Sequence, residues 1–202
     1  MSEPRGAAAD ARRQAVAALT NDALIVDLLQ TVNHLSRWLT PIHDQLRLEA
    51  TSRRSQVSVK DLLLDLRDNE VRAYSFMNAI ATQINPDLDK VAMRQPSPAQ
   101  READARSNAL VVMAEFRRVR ESSTSLLRAL PDAAWSRGGF SRTSRDWTIR
   151  QLAESLATND WEQLGLIDLA LNESGLRRSV ARVSQVSRDS LREPYLAALE
   201  AR

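Results

Sequence analysis

Leu24, Ile25, Leu28, Leu29, Val32, Leu35 and Leu39 recur at helical spacing and form one stripe when successive residues are set about 100° apart. The block they define runs from about Asp22 to Leu39 and stops before Pro41. A second block opens at Ser58, with Asp61 three residues on as an acidic variant of the capping box, and runs to about Gln83. Its stripe is Val59, Leu62, Leu66, Ala73, Met77, Ile80 and Ile84. Ser97-Pro98-Ala99-Gln100 starts a third block with a cap, a first-turn proline and a glutamine at the third position. It carries Val112, Phe116, Val119, Leu126, Leu127 and Leu130 inward as one helix and ends at Pro131. After a loop holding Gly138-Gly139, the capping box Thr148-Ile149-Arg150-Gln151 opens a fourth block to about Leu171, with Ile149, Ala153, Leu156, Leu164 and Ile167 as its stripe.

A further helix is expected at roughly 187–200, interrupted by Pro194. No segment shows sustained strand alternation, and no repeat of fixed period is present. The pattern predicts an all-α fold: a four-helix bundle over 21–172 with long connections, preceded by a partly disordered or short helical extension (1–20) and followed by a C-terminal helical extension (173–202).

Composition narrows the chemistry. The chain has 202 residues, of which 43% are hydrophobic and 27% charged, so it can bury one sizeable core and is not a low-complexity or disordered sequence. No apolar run approaches the roughly 20 residues needed to span a bilayer. There is no cysteine, which removes disulfides, thiolate nucleophiles and Cys-ligated metal centres, and there are only two histidines, His34 and His43. Nearly all positive charge is arginine, since Lys60 and Lys90 are the only lysines, and it interleaves with Asp and Glu except in the locally basic stretch 177–202. Nucleic-acid binders concentrate basic charge on one face, so such a partner is disfavoured. The first residues lack the basic and apolar regions of a secretory signal, and a cytoplasmic location is expected.

Polar residues interrupt two of the stripes. Asp160 lies within about 20° of the fourth stripe's centre and Gln163 within about 40°, with Asn159 on the flank. On the second block Asp65 and Asn69 flank the stripe and Glu70 lies on its other side. Asp65 and Asp68 also fit a solvated face, Asp68 standing four residues ahead of Arg72 as an ordinary helix pair. A buried Asp160 needs a partner or several donors, whether it faces an internal cleft or a packed core. The candidate ligand-binding cleft is therefore Asp65, Asn69, Glu70, Asn159, Asp160 and Gln163. His34 lies opposite its stripe and reads as solvated, and neither it nor His43 has a second histidine at ligand spacing. Trp135, Trp147 and Trp161 are expected to plug one end of the bundle rather than form a ligand cage.

Ser58-Val59-Lys60-Asp61-Leu62-Leu63-Leu64-Asp65-Leu66-Arg67-Asp68-Asn69-Glu70 resembles the second-helix signature of the DinB/YfiT-like bundles. Leu130-Pro131, Trp135-Ser136-Arg137-Gly138, Trp147-Thr148-Ile149 and Leu156-Ala157-Thr158-Asn159-Asp160-Trp161-Glu162-Gln163-Leu164 follow in that family's order, so the resemblance spans about 22–171. It implies a four-helix bundle, often dimeric, whose members commonly hold a divalent metal through three histidines and include thiol-dependent transferases. The three ligand positions fall on Asp65, Asn159 and Gln163, none of them histidine.

One carboxylate and two amide oxygens are hard, weak donors, suited to Ca or Mg rather than Zn or Ni. No cofactor is expected beyond a weakly held divalent cation. The reading that follows is a degenerate relative, a homodimer that binds a small ligand or a protein without catalysis. The alternative is a transferase or hydrolase that uses Asp65, Asp160 and Glu70 with a hard cation or as acid/base groups.

Overall fold

The computed structural model describes residues 3–51, 56–91 and 97–176, so the helix expected at 187–200 and the basic stretch 177–202 lie outside the described residues. Seven helices lie within them: α1 (Glu3–Ala17), α2 (Asn21–Leu39), α3 (Gln45–Glu49), α4 (Val59–Thr82), α5 (Pro98–Arg106), α6 (Ala109–Ala129) and α7 (Ile149–Glu173). A 3₁₀ turn at Asp132–Ser136 precedes a two-residue antiparallel pair, β1 (Gly138–Gly139) with β2 (Trp147–Thr148). The all-α reading holds.

Local chemistry sets most helix starts. Ser58 Oγ accepts from Asp61 N at 3.1 Å while Ser58 N donates to Asp61 Oδ2 at 2.9 Å, closing both halves of a capping box at α4. Thr148 and Gln151 do the same at α7. Two expectations are corrected. The third block is two helices, because Ser107 is extended and Asn108 caps α6 afresh, its side chain accepting from Val111 N. Ile84, placed on the α4 stripe by periodicity, lies beyond the C-cap residue Gln83 and is 95% exposed.

α2, α4, α6 and α7 form the bundle: α4 packs on α6 and α7, and α2 on the same two, while α1 packs on α7. Two apolar clusters fill it. One joins Leu35 and Leu39 of α2, Leu62, Leu63 and Leu66 of α4, Val112 and Phe116 of α6, and Leu164 and Ile167 of α7. The other joins Leu24 and Leu28, Met77 and Ile80, Leu127, and Ile149 with Leu156. The start of α4 therefore lies level with the start of α6 and the ends of α2 and α7. α4 and α6 run one way, and α2 and α7 the other. Trp135 is buried in the second cluster and Trp147 packs against it, as expected of an end plug, whereas Trp161 sits at mid-helix beside Asp160.

Candidate functional site

Between the two clusters every bundle helix places a buried polar side chain: Thr31 on α2, Glu70 on α4, Arg120, Ser123 and Thr124 on α6, and Asp160 on α7. Arg120 organises this layer. Its Nη1 lies 2.6 Å from Asp160 Oδ2 and its Nη2 3.0 Å from Asp160 Oδ1, a two-pronged match of guanidinium and carboxylate. Nε donates to Glu70 Oε2 at 2.9 Å, and Nη1 also donates to the Leu28 carbonyl at 2.7 Å. Thr31 Oγ1 donates to Asp160 Oδ2 at 2.8 Å. One arginine thus ties α6 to α4, α7 and α2, and its guanidinium lies 4.9 Å from the Phe116 ring centroid.

Arg120 and Glu70 are fully buried and Asp160 is 2% exposed. Burial pushes the Arg120 pKa down, but the charges and hydrogen bonds of Asp160 and Glu70 outweigh it and hold it above its ordinary value. Beside the layer, Asp27 of α2 pairs with Arg12 of α1. Burial raises its pKa, Arg12 opposes that, and the Asp160 charge adds to it.

Six side chains were candidates from the sequence. Glu70 and Asp160 meet through Arg120. Asp65 is exposed on α4, its pKa raised by partial desolvation and by the neighbouring carboxylates of Asp68 and Asp61. Asn69 and Asn159 are partly buried, and so is Gln163, whose Oε1 is buried with no hydrogen-bond partner among the described residues. Among the described residues no three His, Asp or Glu side chains are placed to hold a metal ion. His34 is not solvated as expected: it is half-buried, its ring edge-on to Trp38 at 6.0 Å, with Nδ1 2.7 Å from the Gln30 carbonyl. Burial lowers its pKa.

Periodicity pointed at the acids and missed their cation. Arg120 stands four residues after Phe116 and seven before Leu127, on the inward stripe of α6, so a charged residue at an apolar register position was the available signal. A second arginine was missed in the same way. Arg67 of α4 is buried and bonds both Asp104 oxygens of α5, at 2.7 and 2.8 Å, with Glu115 of α6 at 2.8 Å and Asp68 at 2.9 Å from Nε.

The chain has the fold of YfiT from Bacillus subtilis, described as a probable metal-dependent hydrolase with an unusual four-helix bundle topology. The two match with a TM-score of 0.55 at 16% identity, over 86% of this chain and 90% of that one. No family model and no curated protein matches the sequence.

Proposed function

We propose that this protein is a DinB-like bundle that has lost the family's three-histidine metal centre and works without a cofactor as a non-catalytic module, a cytoplasmic homodimer that binds a small ligand or another protein. The observation that carries this reading is Arg120, fully buried at the middle of the bundle and held by Glu70 and Asp160. The protein supplies its own permanent cation there, and an arginine does not give up its proton. The donor set at the family's ligand positions does not fit a transition metal, because Asp65 is exposed and Asn159 and Gln163 offer only amide groups. The acid/base alternative is weakened by the same geometry, since two of its three carboxylates, Glu70 and Asp160, are engaged by Arg120.

Elemental analysis after dialysis of the purified protein against a mild chelator tests the reading. It requires zinc and nickel well below one equivalent per chain; stoichiometric retention of either overturns it. So does turnover of a thiol or electrophilic substrate that Asp65→Ala or Gln163→Ala abolishes.

A further inference from the structure

Two polar atoms of the central layer are buried and bond no protein group among the described residues: Glu70 Oε1 and Ser123 Oγ. Glu70 and Ser123 are both fully buried. Burying an acceptor or a hydroxyl unpaired is costly, so native structures supply such atoms with a partner, often an enclosed water.

The helix register places small side chains beside both atoms. Ser123 lies one turn beyond Arg120 on α6, and Ala73 lies one turn beyond Glu70 on the parallel α4, so the two small residues share the next level. Counting about 100° per residue, Ser123 is turned about 60° from Arg120 in the same sense as Glu115, which reaches across to Arg67 of α4. Ser123 therefore sits on the α4-facing side of α6. On α7, Ala157 is one turn from Asp160 toward the same cluster and is fully buried. Ala73, Ser123 and Ala157 thus set three small buried side chains along the border of the ion layer.

We infer that this level is a built hydration site: one enclosed water donates to Glu70 Oε1 and bonds Ser123 Oγ, completing the hydrogen bonding of the Arg120 layer. The site takes a small neutral molecule with a hydrogen to donate to a carboxylate and a lone pair to accept the serine hydroxyl, and water meets both needs in the least volume. It stands independently of the proposed loss of the metal centre.

Methyl-labelled alanine in the full chain provides the probe. A water held between Glu70 and Ser123 gives the Ala73 methyl a cross-peak to long-lived water in paired NOE and ROE spectra, and a high-resolution crystal structure shows an ordered water within hydrogen-bond distance of both atoms. Ser123→Ala removes one of its two anchors and reduces that cross-peak, while the Ala73 chemical shift and far-UV circular dichroism report that the fold is kept. A water cross-peak absent from the wild-type protein, or a crystal structure in which Ser123 Oγ donates directly to Glu70, overturns the assignment. So does a cross-peak of unchanged intensity in Ser123→Ala.

Discussion

Arg120 Nη1 and Asp160 Oδ2 lie 2.6 Å apart at a level where both side chains are out of solvent. Such a pair is a poor source of net stability but costly to break, because removing one partner leaves a bare charge in a medium that cannot solvate it. Here Arg120→Met would strand two carboxylates, Glu70 and Asp160, at once. The expected loss is about 3–5 kcal/mol, read from urea denaturation at constant m-value. Replacing the whole triad with apolar residues (Glu70→Leu, Arg120→Met, Asp160→Leu) should recover most of that loss. A single-variant cost below about 1 kcal/mol, the size of an exposed pair, would sink the account.

Arg67 and Asp104 make a second buried pair with a narrower task. Among the described residues of α5 only Asp104 is buried, so this short helix has little apolar surface with which to dock. Gln100 adds a hydrogen bond to Asp104 at 2.9 Å, and Lys60 of α4 holds the Ala105 carbonyl at 3.0 Å. The hydrogen bonds of Arg67, opposed by burial, keep the Asp104 carboxyl below its usual pKa. Arg67→Ala should cost about 1.5–3 kcal/mol and, more tellingly, speed amide hydrogen exchange in α5 well ahead of exchange in α6 and α7. Uniform acceleration along the chain would show that Arg67 is no local tether.

How much of this was legible beforehand follows from sequence range. The starts of α4 and α7 were readable because Ser58–Asp61 and Thr148–Gln151 close within one turn and need no other part of the chain. The break at Ser107-Asn108 was equally local but hidden, since the spacing of Val112 and Phe116 continues a helical period that the Ser97 cap had already opened. Glu70 and Asp160 could be picked out as misplaced acids. Their common partner could not, because Arg120 is 50 residues from one and 40 from the other, and only the packing of α4 against both α6 and α7 brings all three together. The metal-ligand positions carried by the resemblance concern residue identity alone, and identity does not reveal that Asp65 points outward while Asp160, next to one of those positions, points in.

Asp89 predicts an acid-sensitive lock between two connections. Its Oδ1 accepts from Ser141 Oγ and Thr143 Oγ1, both at 2.7 Å, and its Oδ2 from the Arg142 backbone N–H at 2.7 Å. Led by the Thr143 hydroxyl, these donors depress its pKa to about 2. An unfolded aspartate titrates near 3.9, so the stabilisation is fully present above about pH 4 and is lost as pH falls through about 2. A carboxyl-carbon NMR titration should place the Asp89 midpoint below those of free aspartates, and Asp89→Asn should flatten the acid limb of the stability profile. A midpoint near 3.9 would contradict the lock.

Two glycines give predictions of opposite sign. At Gly139 an added Cβ would lie 2.9 Å from both Leu88 Cδ2 and the Pro86 carbonyl oxygen. The approach is close because the strand end bonds the α4–α5 connection directly: Phe140 N donates to Pro86 O at 3.1 Å and Leu88 N to Phe140 O at 2.9 Å. Backbone cannot yield as a flexible side chain can, so Gly139→Ala should cost about 1–3 kcal/mol as overpacking and loosen the contact between the two connections. Gly165 lies inside α7, where none of the described residues comes within 4 Å of an added Cβ. There Gly165→Ala should stabilise by about 0.5–1 kcal/mol, because alanine loses less backbone freedom on entering a helix. Thermal melts of the two single variants measure both: a melting temperature that does not fall in Gly139→Ala would overturn the steric argument there, and one that falls in Gly165→Ala would overturn the helix argument.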